Sequence, residues 1–200
     1  MHRALRTLGF TLLGLATLAG ASSAKGLVLN PQAGLTATHL TSDPAEITDQ
    51  ARVGYGFGGN VRIGGSFYLS PGAYVQRTSL QITARDTLTA TTVKDVVGVN
   101  SIYVPLKFGF NLSANAASPT SLGLRVFGGP ALTIISSVKA NDLGITKDDY
   151  KSTHLGFEAG AGLDLALLTI DVSYEKGLGK TFKNSDAKQD VLRALIGIKL

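Results

Sequence analysis

The chain has 200 residues, 24 of them Gly, no Cys and no Trp, with 44% apolar and only 16% charged residues. That length fits one domain, and a charged fraction well below the roughly 25% of soluble domains raises the question of what covers the apolar groups. The formal net charge of +5 is no nucleic-acid footprint, and a chain without cysteine forgoes disulfides.

The first 24 residues, MHRALRTLGFTLLGLATLAGASSA, have the three parts of a secretory signal. Arg3 and Arg6 form a basic start, Leu8 to Ala19 an apolar core, and ASSA at 21–24 a small-residue cleavage site. The apolar core is 12 residues long, short of the roughly 20 that a spanning helix needs. Cleavage after Ala24 leaves a domain over 25–200 with 17 basic and 14 acidic residues, a net +3. No later segment has 18 consecutive apolar residues, so no second helical span is predicted.

Eight segments with a period of two follow, the strand signature. They are QAGLTATHL at 32–40, RVGYGFGGNVRI at 52–63, the run from Phe67 to about 84, NSIYVPLKFGFNL at 100–112, LGLRVFGGPALTIISSV at 122–138, HLGFEAGAGLDL at 154–165, LTIDVSYEKG at 168–177 and DVLRALIGIKL at 190–200. The connections after the second and sixth are very short, and SANAASPTS at 113–121 follows the fourth. Those at 41–51, 85–98, 139–153 and 178–189 are longer and carry Asp43, Glu46, Asp49, Lys94, Asp95, Asp142, Asp148 and Asp149 among others. Short turns at one end and long polar loops at the other predict an up-and-down meander through a membrane.

Each segment has an apolar and a polar face. Ile102, Val104, Leu106, Phe108 and Phe110 alternate with Tyr103, Lys107 and Asn111. A soluble sandwich alternates too, so the second face decides. In 52–63 that face reads Arg52, Gly54, Gly56, Gly58, Asn60, Arg62. Glycine weakens a strand, and a solvent-facing surface favours Thr and Lys instead. Inside a closed eight-stranded barrel the space is only just wide enough for side chains, and a long residue there needs a small neighbour. Gly54, Gly56, Gly58, Gly156, Gly160 and Gly162 are expected to make room for Arg52, Arg62, Lys107 and Arg125. The predicted fold is all-β: an eight-stranded antiparallel up-and-down transmembrane β-barrel. A soluble exported β-sandwich binding protein is the alternative.

The inward set then holds Arg52, Arg62, Lys107, Arg125, Arg193 and Lys199 against Glu158, Asp164, Asp171 and Glu175. Buried charges need partners. Two readings stay open: a paired plug filling the lumen, which the narrow interior favours, and a gated ion path.

Four stretches resemble the outer-membrane β-barrel proteins common in Bacteroidetes-type bacteria, of the PorT-like or OmpX-like eight-stranded kind: PQAGLTATHL (31–40), SIYVPLKFGF (101–110) with Pro105, FGGPALTI (127–134), and HLGFEAGAGLDLALLTIDVSYEKGL (154–178) with Tyr174 and Gly177. The resemblance implies an eight-stranded barrel in the outer membrane of a Gram-negative bacterium, mostly of unassigned function, with some members attached to secretion or gliding machinery. It also implies outer-membrane lipid and the barrel-assembly machinery as partners, and a protein partner at the extracellular loops. This chain departs from the usual aromatic end by finishing in Leu200. Its aromatic girdle is thin, with Tyr55, Phe57, Phe67, Phe108, Phe110, Phe157 and Tyr174 as candidates. Pro71, Pro105 and Pro130 fall inside strands, where bulges or kinks are expected.

No motif carries catalytic, cofactor or metal chemistry through. GYGFGG (54–59) matches a dinucleotide fingerprint but is followed by a strand pattern, not by the helix that holds the pyrophosphate. YEKGLGKT (174–181) has Tyr174 where a P-loop needs Gly. NDLGITKDD (141–149) lacks calcium-loop spacing. His39 and His154, the two histidines left after cleavage, fall on opposite faces, and no G-x-S-x-G elbow is present. The chain reads as a structural or surface-interaction barrel acting through its long loops, not an enzyme, and without a cofactor; a lipid-modifying enzyme with a rim site is the alternative.

Overall fold

A computed structural model of the chain describes residues 26–41, 52–85, 92–112, 122–139, 146–147, 151–179 and 188–200. The expected signal segment and much of the four long loops lie outside the described residues. The strands are β1 (Leu27–Thr41), β2 (Arg52–Gly64), β3 (Phe67–Arg85), β4 (Thr92–Asn111), β5 (Leu122–Val138), β6 (Thr153–Leu165), β7 (Leu168–Gly177) and β8 (Lys188–Ile198). Each pairs antiparallel with the next, and β8 pairs with β1 to close the barrel. The chain end extends that closure: Leu29 and Leu200 exchange backbone hydrogen bonds of 3.1 and 2.8 Å. Closure leaves no free sheet edge along the wall and excludes the sandwich.

Two turns at one end are tight. Gly64 adopts φ +131° at the end of β2, a backbone that glycine tolerates and most residues do not. Ala166 adopts φ 53° in the two-residue turn between β6 and β7. Residue 26 and Leu200 both lie at this short-turn end, Gly26 accepting from the Gly64 N–H at 2.7 Å.

The strand bounds differ from expectation chiefly at β4. The stretch 85–98, read as a loop, is largely ladder: Arg85 stands opposite Thr92, and β3 and β4 stay in register through Gly98. Thr92, Val93, Val96 and Val97 have strand propensity, but Lys94 and Asp95 break the apolar alternation that sequence reading depends on. β1 likewise begins at Leu27 instead of 32.

The prolines do not make bulges. The β3–β4 ladder skips the positions between Pro71 and Tyr74 and resumes in the same register. The β4–β5 ladder does the same between Pro105 and Phe108, and Pro130 sits in an unbroken run opposite Phe157. A proline costs a ladder bond only where its missing N–H faced the neighbouring strand. The register shift falls instead between Asn100 and Ser101, opposite the extra residue Ser136.

Among the described side chains exposure alternates along the strands, with a break at the Asn100/Ser136 register shift. In β4, Leu106 is 38% exposed and its neighbour Lys107 3%. The outer wall carries Leu35, Val53, Val75, Ile102, Val104, Leu124, Val126, Leu155, Val172, Leu192 and Ile196, far more contiguous apolar surface than a soluble monomer leaves open. Its aromatics form two belts. Phe67, Phe108 and Phe110 lie at the short-turn end, with Phe67 and Phe110 rings 4.7 Å apart. Tyr55, Phe57, Phe157 and Tyr174 lie at the long-loop end. Paired belts flanking an apolar band are the membrane-interface pattern of outer-membrane barrels.

Candidate functional site in the barrel lumen

Inward positions are polar, charged or glycine, and the charges are brought together in two groups. The first is at the short-turn half. Arg62 (β2) reaches across to Asp164 (β6), with Nη1 2.8 Å from Oδ2. Arg125 (β5) contacts Asp164 Oδ1 through Nε at 3.3 Å and pairs with Asp171 (β7) through Nη2. Lys199 Nζ lies 3.8 Å from Asp164 Oδ2. Gln32 (β1) donates to Asp171 Oδ2 at 2.8 Å. Three strands, and Lys199 just past β8, thus converge on the aspartates of β6 and β7.

The second group is toward the long-loop half. Lys107 (β4) lies 3.5 Å from Glu158 Oε1 (β6) and sits over the Phe127 ring, 4.6 Å from its centroid. Tyr103 (β4) donates to Glu158 Oε2. Arg193 (β8) is 2.7 Å from Glu175 Oε2 (β7) and stacks on Tyr103. Between the groups, Tyr74 (β3) donates to Gln32 Oε1 at 2.6 Å, and Asn60 donates to both Gln32 Oε1 and the Tyr74 hydroxyl.

All the expected inward residues whose side chains are described therefore lie inside and in contact: Arg62, Lys107, Arg125, Glu158, Asp164, Asp171, Glu175, Arg193 and Lys199. Arg52 opens β2 opposite Thr38, and its side chain lies outside those described. Among the described side chains of this network, five cations stand against four anions. Removing either partner of such a pair strands a charge in a low-dielectric space.

The glycines are spacers, though not all for arginine. A Cβ on Gly162 would come within 2.5 Å of Arg125 Cζ and Asp171 Oδ1, and one on Gly156 within 2.8 Å of Glu175 Cγ. In β2 the small face clears other groups. At Gly58 and Gly54 a Cβ would first meet the β3 backbone, the Ala73 carbonyl oxygen at 2.2 Å and the Arg77 carbonyl oxygen at 2.1 Å, and then the Tyr74 ring and Thr36 Oγ1; at Gly56 it would meet Gln76 Cβ at 3.3 Å. Sequence reading placed Asn60 on the inward face without a partner, and missed the other uncharged members of the network, Tyr74, Gln32 and Gln76. Their available signal was inward parity alone, in β1 and β3 among other polar residues.

His154 is inside the lumen, where it lines a small cleft at the long-loop mouth with Thr133, Glu175 and Gln189. His39 is on the outer wall. The two do not share a face. Among the described residues no group of three His, Cys, Asp or Glu has metal-binding geometry.

Comparison with known proteins agrees with this architecture. Solved barrels of similar fold include the attachment invasion locus protein Ail of Yersinia pestis, in complex with the heparin analogue sucrose octasulfate. It has 13% identity and a TM-score of 0.52 over 88% of this chain and 99% of that one. OprG of Pseudomonas aeruginosa has 11% identity and a TM-score of 0.52 over 88% and 96%. Neisserial surface protein A has 14% identity and a TM-score of 0.50 over 86% and 97%. At these identities the likeness is one of fold. No curated protein matches the sequence. The family model described as "Outer membrane protein beta-barrel domain" matches residues 21–183. With its closed eight-stranded wall and its apolar band between aromatic belts, the chain belongs to this outer-membrane β-barrel family and resides in the outer membrane of a Gram-negative bacterium.

Proposed function

We propose that the protein is a plugged barrel serving as a structural and surface-interaction scaffold, which meets its partner through the long extracellular loops. The observation that carries this reading is the crossing of the lumen between opposite strands, by the ion pair of Arg62 with Asp164 and by the stacking of Arg193 on the Tyr103 ring. Eight strands leave an interior that side chains fill, so the wall presents the loops and conducts nothing. Within its family the chain stands with the PorT-like and OmpX-like eight-stranded members, and a secretion or gliding complex is the partner class that resemblance offers. The barrel-assembly machinery handles the chain during biogenesis despite its Leu200 terminus.

The scaffold is non-catalytic in this reading, since His154 faces the lumen and His39 the outer wall. The test is planar-bilayer recording of the purified full chain, together with co-purification from cells carrying loop-deleted variants. Silence in the bilayer and loop-dependent capture of a partner are the expected results. Discrete conductance steps at physiological salt would replace the plug with a pore. An altered lipid profile in a deletion strain, restored by the wild-type chain, would replace the scaffold with an enzyme.

A further inference from the structure

The surplus charge of the lumen network lies at one end. The group at the long-loop half balances, Lys107 and Arg193 against Glu158 and Glu175. The group at the short-turn half does not. There Arg62, Arg125 and Lys199 share Asp164 and Asp171, three cations on two carboxylates. The connections at that end add no acid: GGS at 64–66, SANAASPTS at 113–121 and AL at 166–167 contain no charged residue. The Leu200 carboxyl oxygen is engaged in the wall, accepting the Leu29 N–H at 3.1 Å.

The same end holds buried donors in excess. Arg62 gives Nη1 to Asp164, while its Nε and Nη2 have no hydrogen-bond partner among the described residues. Those two N–H groups are the side-on edge of the guanidinium, a fork that fits two oxygens of one oxyanion. The Tyr68 hydroxyl (β3) and the Asn30 amide nitrogen (β1) are unpartnered as well. Arg62, Tyr68 and Asn30 are 8%, 7% and 1% exposed, and every one of these atoms can donate. The buried carboxylate oxygens without a hydrogen bond, Glu158 Oε1 and Glu175 Oε2, belong to the other group. β1, β2 and β3 are consecutive in the wall, and Lys199 follows β8, which closes on β1. Arg62 and Arg125 lie within electrostatic reach of both the Tyr68 hydroxyl and the Lys199 ammonium. Gly109 of β4 leaves the space that the Tyr68 hydroxyl fills, since a Cβ there would overlap it. A buried donor without an acceptor is costly, and a buried cation without a full counter-charge more so.

We propose that Arg62, Tyr68, Asn30 and Lys199 form a binding site for one small oxyanion, a carboxylate or a phosphate, at the short-turn mouth of the lumen. The oxyanion sets two oxygens on the Nε–Nη2 edge of Arg62 and accepts from the Tyr68 hydroxyl and the Asn30 amide. It enters past Lys199, the least buried of the three cations, whose ammonium turns from Asp164 to the ion. One negative charge brings the group into balance. The site does not depend on what the loops bind, nor on which side of the membrane the short turns face.

The test uses the folded full chain in neutral detergent. Sodium phosphate or sodium acetate replaces sodium chloride at constant ionic strength, with binding read by calorimetry and by the Arg62 Nε–H resonance in proton–nitrogen correlation spectra. One oxyanion per chain and a saturable shift of that resonance are expected. Phosphate binding tighter than acetate assigns a phosphate ligand, and the reverse assigns a carboxylate. Lys199→Gln should weaken binding about tenfold, the loss of a charged contact. Tyr68→Phe should weaken it about threefold, the loss of one neutral hydrogen bond. Both should keep the heat-modifiable gel shift of a folded barrel, and Lys199→Gln carries the test if Tyr68→Phe does not fold. Lys188→Gln, at the opposite end of the barrel, should bind as the wild type does. Absence of a saturable Arg62 shift with either oxyanion, chloride binding as tightly as both, or wild-type affinity in folded Lys199→Gln would overturn the proposal.

Discussion

Arg193 of β8 lays its guanidinium on the ring of Tyr103 of β4, 3.8 Å from the ring centroid, across the barrel from its own strand. The same guanidinium is 2.7 Å from Glu175 Oε2, and the Tyr103 hydroxyl donates to Glu158. One cation thus ties four strands. Arg193→Met removes the charge and leaves Glu175 buried without its partner. A destabilisation of about 3–5 kcal/mol is expected, read as a shift in the urea midpoint of the vesicle-inserted barrel. Adding Glu175→Gln should recover part of that loss. A cost below about 1 kcal/mol for the single variant would mean that the pair does not hold the lumen together.

Gly160 and Gly162 test the crowding of the lumen in two ways. A Cβ on Gly160 would meet Ser173 Cα at 2.8 Å and Cβ at 2.7 Å, in a neighbouring strand that cannot retreat. A Cβ on Gly162 would meet the ends of Arg125 and Asp171, which have some freedom to turn aside. Gly160→Ala should therefore cost more than Gly162→Ala, with Gly160→Leu worse again and the overpacking penalty about 1–3 kcal/mol. Refolding yield into vesicles, scored by the gel shift, checks the order. Wild-type folding of Gly160→Leu would sink the crowded-lumen account.

Much of the wall was legible in the sequence, because in an antiparallel barrel face and period are the same information. Leu106 and Lys107 are neighbours with opposite fates, and alternation alone assigns both. The inward set of paired charges followed from parity, since Arg62, Arg125, Asp164 and Asp171 all stand on inward positions. What parity does not give is who meets whom. Arg62 and Asp164 are 102 residues apart in the chain, and only closure with a definite stagger brings them together. Tyr74 and Gln32 escaped notice for a different reason. A neutral hydrogen-bonding residue on an inward face looks like any polar strand residue until its partner is known. The β3–β4 extension was hidden by Lys94 and Asp95, which break an apolar alternation that the ladder does not require.

Ala166 holds φ 53° in the β6–β7 turn, a conformation that costs an L-residue about 1–2 kcal/mol and glycine almost nothing. Two-residue hairpins with a positive φ at the first turn position favour Gly there. Ala166→Gly is expected to stabilise the barrel by about 0.5–1 kcal/mol, the relief of strain being partly offset by the greater freedom of glycine in the unfolded chain. Equilibrium unfolding in urea measures it. A clear loss of stability would show that the alanine methyl does more for the turn than its backbone costs.

The assignment of the outer face to lipid is tested most directly on β4. Val104, Leu106 and Phe108 point outward, while Tyr103, Pro105 and Lys107 point in. An arginine at Leu106 should cost about 2–4 kcal/mol if that position is near the bilayer midplane, falling toward zero for outward positions at the rims. Stability alone does not discriminate, since any apolar surface resents a charge. Labelling does. The chain has no cysteine of its own, so single cysteines at 104, 106 and 108 give unambiguous signals. In intact outer membranes all three should react with a lipid-soluble maleimide and resist a water-soluble one. A cysteine at Lys147, exposed in the loop after β5, should react with the aqueous reagent in whole cells and serves as the control for orientation. Ready aqueous labelling at 106 would contradict the lipid-facing wall, and failure at 147 in whole cells would invert the barrel in the membrane.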